Sequence, residues 1–261
     1  MKRRKLIRYG GMGMATAIAS GLLPRLPAMA QNTDTDGVTI QYLGHTCFLF
    51  TGNGLKVLVN PYEAVGCAAG YTLPDLQPDV VLVSSFLLDE GAVNSVKGKP
   101  EIITQRGVHN FGDLKFQGFA LAHDREGGKR FGKNIAWRWT QGGVNILHLG
   151  GAAGALETEE KILLSGADIL LIPVGGGAKA YDSQEARKAV KILNPRMVIP
   201  THYRTAVSSK KDCDLAPVDE FLTLTADLKV AQVGSDRFKV KKSYLKDDQT
   251  LVRVLDYNSS S

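Results

Sequence analysis

The first half of the chain is a series of short apolar runs, rich in β-branched and aromatic residues, that Gly, Asn and Pro interrupt. From residue 38 the runs are "VTIQYL", "TCFLFT" and "LKVLVN", with the turn "GNG" before the last of them. "DVVLVSS", "EIITQ", "LKFQGFALAH", "NIAWRWTQ" and "VNILHLG" continue the series. Runs of this length with these interruptions predict β-strands that are largely joined by hairpins.

The second half alternates between two patterns. Helices are predicted over "LETEEKILLSG", "SQEARKAVKIL" and "PVDEFLTLTADL", the last with Pro217 in its first turn, and buried strands over "DILLIPV" and "RMVIP". No repeat or long linker divides the chain, so the pattern indicates one domain over residues 38–256. Strands first and β-α alternation later predict an α/β (α+β) fold in which two sheets pack face to face with helices outside.

The composition is that of a soluble globular protein, because 44% of the 261 residues are hydrophobic and 22% are charged. Six of the 32 Lys and Arg residues lie in residues 1–30, which contain no acid. Without them 26 basic residues face 26 acidic ones. A balanced charge with no basic stripe gives no reason to expect nucleic acid or an anionic membrane surface as a partner.

Residues 1–30 have the pattern of a signal peptide: a basic head, a mildly apolar middle and the small-x-small ending Ala28-Met29-Ala30. Arg3 and Arg4 start "RRKLIR", which is typical of the twin-arginine type. A membrane anchor is the alternative, but residues 9–23 are short for a bilayer, which needs about 20 apolar residues. We expect cleavage after Ala30, export to the periplasm or an equivalent compartment such as a thylakoid lumen, and no membrane attachment afterwards.

The three cysteines form no C-x-x-C pair, and an odd number does not build a closed disulfide framework. Cys47 lies in an apolar run and is expected to be a small core residue. A bridge between Cys67 and Cys213 is conceivable in an exported protein, but the sequence does not place these two residues close together.

Several polar residues follow apolar runs directly, at the predicted carboxyl ends of strands. His123 closes "GFALAH", His202 follows "MVIPT", and Asp89 and Glu90 come shortly after "VVLVSS". Side chains in such positions converge on a crevice at the rim of the sheets, where α/β proteins bind ligands. A histidine there is as often a hydrogen-bonded polar residue as a metal ligand, so spacing alone leaves both roles open.

The chain resembles the metallo-β-lactamase-fold hydrolase superfamily, in particular its L-ascorbate-6-phosphate lactonase-like branch. The similarity rests on "IQYLGHTCFLF", "VLVNPY", "PDVVLVSS", "HLGG", "ADILLIPVGGG" and "RMVIPTHY", which together span nearly all of the chain after the leader. The resemblance implies a four-layer αββα sandwich that holds one or two metal ions, usually zinc. The ions activate water to attack an ester, lactone, amide or phosphoester.

The family's metal motif T-H-x-H-x-D-H aligns with residues 84–90, where most of its ligands are replaced. Ser85 and Leu87 stand in place of the first two histidines, Asp89 is kept, and Glu90 stands in place of the last histidine. Catalytic zinc usually has three protein ligands. The alignment therefore predicts that the first metal site, to which His123 also belongs, is lost.

For the second site two interpretations remain. Gly151 stands where the family has an Asp that bridges two metals, which removes a negative charge. Asp89, Glu90 and His202, with or without His123, would hold one weakly bound Mn²⁺, Fe²⁺ or Zn²⁺, with Asp89 as the catalytic carboxylate. Otherwise Asp89 caps a turn and Glu90 is solvated, with no metal. The second interpretation is favoured.

Three more residues are expected to line the pocket: His45, Ser85 and Tyr203. His45 would orient a ligand or make a buried structural hydrogen bond, and the role of His148 is left undetermined. We expect an exported protein of hydrolase ancestry with a decayed site, non-catalytic or weakly active, that binds an unknown small molecule or protein. The alternative is a metal-dependent hydrolase of esters, lactones or phosphoesters with a single altered site.

Overall fold

The computed structural model describes residues 36–208 and 213–258, so the predicted leader lies outside the described residues. Fourteen strands and three α-helices make up the described regular structure, together with three short 3-10 turns. The strands are β1 (Val38–Gly44), β2 (Cys47–Gly52), β3 (Leu55–Val59), β4 (Val80–Leu82), β5 (Glu101–Ile103), β6 (Gly107–Phe111), β7 (Leu114–Ala122), β8 (Lys133–Gln141), β9 (Val144–His148), β10 (Ile169–Pro173), β11 (Met197–Thr201), β12 (Lys229–Gln232), β13 (Arg237–Val240) and β14 (Leu251–Val254). The helices are α1 (Thr158–Leu164), α2 (Ser183–Leu193) and α3 (Asp219–Leu224).

The strands form two mixed sheets. The six-stranded sheet has the order β13-β1-β2-β3-β4-β5, and the eight-stranded sheet has the order β12-β14-β11-β10-β9-β8-β7-β6. Two-residue turns at Asn53-Gly54 and Gly142-Gly143, all with positive φ, join β2 to β3 and β8 to β9. Turns of this kind match the right-handed twist of antiparallel strands, which is why these pairs form hairpins.

The second half of the chain alternates between strands and helices, as predicted. The strands β9, β10 and β11 are parallel, and α1 and α2 connect them. A capping box between Asp182 and Glu185 starts α2, and Asn194 in the left-handed conformation ends it. The prediction that Pro217 lies in the first turn of α3 is wrong. Pro217 forms an isolated β-bridge with Arg204, and the helix begins at Asp219.

The principal core lies between the two sheets and contains Phe50, Phe116, Trp137 and Trp139, all buried. Because side chains alternate along a strand, the other face of the eight-stranded sheet carries a second apolar layer. The three α-helices pack on that layer. The α/β sandwich predicted from the sequence is confirmed.

The outer face of the six-stranded sheet has a different cover. Tyr62, Ala68 and Tyr71, with partly buried residues up to Val96, pack there from loops and 3-10 turns. The described part of the chain thus places its α-helices on one sheet only. Among the same residues, no helix has the length and apolarity needed to cross a bilayer.

A disulfide between Cys67 and Cys213 ties the loop after β3 to the segment between β11 and α3. The sequence separation of the two cysteines is 146 residues, and Leu215 packs against both. Cys47 is a free, buried thiol, as expected of a core residue. The bridge fixes the two loops that flank one side of the sheet rim.

Replacement of Cys67 and Cys213 by Ser should lower the free energy of unfolding by about 3–5 kcal/mol, because the bridge closes a long loop in the unfolded chain. Urea denaturation of the oxidised protein and the double variant measures this difference. Wild-type protein in a reducing agent serves as the control and should match the double variant. Equal stability of oxidised and reduced wild type would contradict the prediction.

Candidate metal centre

Five segments that leave the carboxyl ends of strands meet at one rim of the stacked sheets. His45 follows β1, the loop 84–90 follows β4, His123 follows β7, Gly151 follows β9 by three residues, and His202 follows β11. The carboxyl end of a strand in a stacked α/β fold is where side chains converge on a crevice.

The loop 84–90 is held by hydrogen bonds to both sheets. The Ser84 amide donates to Asn60 Oδ1 at 2.9 Å, and the Ser84 carbonyl accepts from the Ile135 amide at 2.8 Å. Asn60 itself has a left-handed backbone, with φ of 53°. These contacts fix the chain as it leaves β4, and the turn that closes at Glu90 directs that side chain inward.

Glu90 is completely buried, so the interpretation that it is solvated is wrong. Its Oε2 accepts a hydrogen bond from Ser85 Oγ at 2.9 Å and lies 3.3 Å from His123 Nε2. Its Oε1 lies 3.4 Å from His202 Nδ1. The carboxylate is therefore placed between two imidazoles from the eight-stranded sheet.

Gly151 makes room for this carboxylate. A Cβ at position 151 would lie 2.4 Å from His123 Nε2 and 2.7 and 2.9 Å from the two Glu90 carboxylate oxygens. The Gly151 amide is fixed by a hydrogen bond to Asn134 Oδ1 at 2.8 Å. The Glu90 carboxylate thus occupies the space that a side chain at position 151 would fill.

His45 and His202 adopt left-handed backbone conformations, with φ of 55° and 53°. The His202 amide donates to the His45 carbonyl at 3.1 Å, and the two ring centroids lie 4.2 Å apart in an edge-to-face arrangement. Positive φ is uncommon in residues other than glycine, and such conformations cluster at functional sites. The pair joins the rims of the two sheets.

The ring nitrogens of His45, His123 and His202 have no hydrogen-bond partner among the described residues, although all three side chains are buried. Buried polar atoms are normally satisfied, so six such nitrogens in one place need an explanation. Ligand atoms of His45, Glu90 and His202 lie within 4.8 Å of one another, close enough to hold one metal ion.

His148 differs from these three histidines. Its Nδ1 accepts from the Gly150 amide at 3.0 Å, and its Nε2 is 3.1 Å from the Thr46 carbonyl, to which it donates. Both ring nitrogens are satisfied, so His148 has a structural role. Burial lowers its pKa to about 4, which keeps the ring neutral.

The protonation states of the cluster suit a cation. Burial lowers the pKa of His45 and, together with the neighbouring His45 ring, that of His202, so both imidazoles are neutral with free lone pairs. Burial opposes ionisation of Glu90, but the contacts with His123 and His202 lower its pKa below the usual range. A buried carboxylate among imidazole lone pairs fits a divalent cation.

Asp89 lies outside this cluster. Its side chain is 13% exposed, and its Oδ2 accepts a hydrogen bond from Lys179 Nζ at 2.5 Å and lies 3.7 Å from His45 Nε2. Asp89 thus forms an ion pair with Lys179, which lies on the loop after β10. Asp89, His202, Lys179 and Arg130 line a pocket of about 210 Å³ beside the cluster.

The structure places Tyr203 away from the site. Its ring is buried with Tyr42, 6.5 Å between centroids, and its hydroxyl is 3.5 Å from the Leu255 carbonyl. Ser85, by contrast, touches Glu90. The sequence analysis missed Lys179, whose only sequence signal is its place two residues after the three glycines 175–177 that follow β10.

The loop 124–132 covers His123. Asp124 accepts four backbone hydrogen bonds from this loop, at 2.8–2.9 Å, and the one from Phe131 does most to lower the Asp124 pKa to about 2. The Gly132 carbonyl accepts from the His123 amide at 3.2 Å. Phe131 is thereby held with its ring 6.4 Å from the imidazole of His123.

A fold of two stacked mixed sheets with a buried histidine and carboxylate cluster at one rim defines a metallo-hydrolase class of protein. The family model of the β-lactamase superfamily domain matches residues 39–202. The chain belongs to this superfamily, as the sequence motifs predicted.

Its relatives include the UPF0173 metal-dependent hydrolase of Carboxydothermus hydrogenoformans, 26% identical over 64% of this chain and 84% of that protein. The UPF0173 metal-dependent hydrolase TTHA1283 of Thermus thermophilus is 25% identical over 67% and 88% of the two chains.

Two solved structures resemble the fold. One, assigned as a zinc-dependent hydrolase of the metallo-β-lactamase superfamily from Thermotoga maritima, has a TM-score of 0.66 at 25% identity, covering 84% of this chain and all of that one. The other, an isothiocyanate hydrolase from Delia radicum gut bacteria, has a TM-score of 0.57 at 13% identity, covering 82% and 95%, and shares the fold alone.

Gly151→Ala should weaken Zn²⁺ binding by about tenfold or more, because its Cβ would displace His123 and Glu90. The side-chain ends can move, so the variant should still fold, which circular dichroism checks. Lys99→Ala, which changes an exposed lysine outside the site, is the control and should bind zinc as wild type does. Zinc titration of the three proteins measures the effect, and equal affinity in Gly151→Ala would contradict it.

Proposed function

We propose that the chain is a metal-dependent hydrolase that uses one divalent ion held by His45, Glu90 and His202, with His123 beside the carboxylate. The observation that carries this proposal is the fully buried Glu90 carboxylate among imidazoles whose ring nitrogens have no other partner in the described residues. The relatives that are metal-dependent hydrolases support the same function. This arrangement favours a rearranged metal site over a decayed one.

Two imidazoles and one carboxylate suit Zn²⁺, Mn²⁺ or Fe²⁺. When bound, such an ion polarises water or a substrate oxygen. The chain supplies the orientation: Ser85 Oγ donates to Glu90 Oε2 at 2.9 Å and fixes the plane of the carboxylate. We therefore expect the loss of that hydrogen bond in Ser85→Ala to weaken metal binding, whereas a substitution outside the site should leave it unchanged.

The substrates we propose are esters, lactones or phosphoesters, and the motif similarity to the lactonase-like branch favours lactones. In lactone hydrolysis the water oxygen bonds to the carbonyl carbon, the ring acyl–oxygen bond breaks, and a water proton passes to the departing alkoxide. Asp89 lines the pocket with one carboxylate oxygen engaged by Lys179, so it is the group placed to accept and return that proton.

A non-catalytic binding protein of hydrolase ancestry, with a small-molecule or protein ligand, is the second candidate. One observation favours it: the side chains of His45, Glu90 and His202 are at most 1% exposed. Such a protein would hold the ion without turnover of any ester.

Glu90→Gln should abolish stoichiometric metal binding, because the amide removes the buried negative charge that offsets the cation. Elemental analysis after dialysis against Zn²⁺ or Mn²⁺ measures bound metal, and p-nitrophenyl acetate hydrolysis tests turnover. Glu63→Gln, an exposed glutamate of a neighbouring loop, is the matched control and should behave as wild type. Metal uptake by Glu90→Gln equal to that of wild type would refute the proposed ligand set, and metal without turnover would favour the binding protein.

We also propose that the protein is exported. The leader pattern in residues 1–30 and the Cys67–Cys213 disulfide support this, because disulfides persist in oxidising compartments.

Replacement of both Arg3 and Arg4 by Lys should leave the precursor in the cytoplasm, since the twin-arginine pair is the recognised element of such leaders. Cell fractionation followed by immunoblotting measures precursor and processed protein in each compartment. Arg25→Lys, in the same segment, is the control and should not change export. Normal export of the double variant would exclude the twin-arginine route.

A further inference from the structure

The two described sheets end in four edge strands, β13 and β5 in one sheet and β12 and β6 in the other. An edge strand presents unpaired backbone amides and carbonyls, and proteins usually protect it with charged residues, proline or short length. β13 contains Arg237 and Lys239, and β12 begins with Lys229. β5 has three residues, the first of which is Glu101. Each of these three edges is therefore protected.

The fourth edge strand, β6, lacks this protection. Its five residues, "GVHNF", include no charged residue and no proline. The His109 ring lies 6.1 Å from the Trp137 ring, and Phe111 packs against the core between the sheets. Val108, on the opposite face of the strand, is 56% exposed. Among the described residues only β7 pairs with β6, so the outer backbone groups of β6 are open to a partner strand.

Opposite charges lie just beyond the two ends of β6. Arg106 directly precedes the strand, and Asp113 follows it by two residues, in the turn to β7. Both side chains are exposed, and within the described part of the chain neither has an ion-pair partner. A second copy of the strand in antiparallel orientation would bring the Arg106 end of each strand to the Asp113 end of the other. A two-fold axis therefore forms both ion pairs at once, which makes this edge self-complementary.

We propose that β6 is the surface through which two copies of this chain associate, as antiparallel edge strands related by a two-fold axis near His109. The two eight-stranded sheets then form one continuous sheet of sixteen strands, eight from each copy. Backbone hydrogen bonds between the two strands supply the affinity. The two pairs of Arg106 with Asp113 fix the antiparallel orientation, which a strand of an unrelated protein would not match. This association is independent of the proposed hydrolase function.

Sedimentation velocity of the full-length chain over a range of concentrations measures the association. Wild type should sediment as a dimer that dissociates on dilution. Val108→Lys places a charge in the exposed edge and should raise the dissociation constant of the dimer by about tenfold or more. Val230→Lys is the matched control, because Val230 is an exposed valine of the edge strand β12, and it should behave as wild type.

The charged ends of the strand are tested by exchange of their signs. Arg106→Glu and Asp113→Arg should each weaken the dimer by about tenfold, since like charges then meet at both ends of the strand pair. The double variant Arg106→Glu/Asp113→Arg should regain the wild-type dissociation constant, because opposite charges face each other again. This recovery distinguishes pairing between two copies from a general effect of surface charge.

Wild-type protein that stays monomeric at every concentration overturns the proposed dimer. A dimer that Val108→Lys leaves unchanged, or a double charge variant that is as weak as the single variants, shows that another surface associates and overturns it as well. If circular dichroism shows that Val108→Lys is unfolded, the charge variants decide the question. Metal content and ester hydrolysis are measured separately, so the failure of this dimer leaves the proposed function intact.

Discussion

The buried carboxylate of Glu90 is the interaction on which the arrangement of the rim depends. Moving a carboxylate out of water costs several kcal/mol unless charge and hydrogen bonds compensate it. Here Ser85 supplies one hydrogen bond, and His123 and His202 approach both oxygens. Ser85 follows a strand of one sheet, and His123 and His202 follow strands of the other. All three contacts with the carboxylate therefore form only when the two sheets pack with these loops at the same rim.

Glu90 and Gly151 occupy complementary space at the rim. In the motif that the sequence resembles, a histidine and an aspartate are expected at these two positions, so the resemblance implies that a carboxylate is lost from one loop and gained on another. The distances explain why both changes occur together: a side chain at 151 would lie within 3 Å of the Glu90 oxygens. Taken singly, either change suggests a damaged site, whereas together they keep one negative charge in nearly the same place.

Much of the fold follows from the sequence, because strand and turn signals are local. Asn53-Gly54 and Gly142-Gly143 determine their hairpins through positive φ, and Asp182 and Glu185 determine the start of α2. The site could be predicted only in part. Hydrophobic periodicity does not indicate whether a polar loop residue is buried, so the sequence analysis predicts a solvated Glu90. The contact of Lys179 with Asp89 joins loops 90 residues apart, and no local sequence pattern predicts it.

The complete burial of the ligand side chains has a consequence for when metal is acquired. The side chains of His45, Glu90 and His202 expose at most 1% of their surface, so an ion enters from the pocket that His202 lines only when the loops that carry these residues open locally. Those loops are held by the hydrogen bond between His202 and His45 and by the Cys67–Cys213 bridge, which make such opening rare. We therefore expect slow uptake and release, so the ion in freshly purified protein reports the metals of the compartment where the chain folded until equilibration lasts long enough for the loops to open.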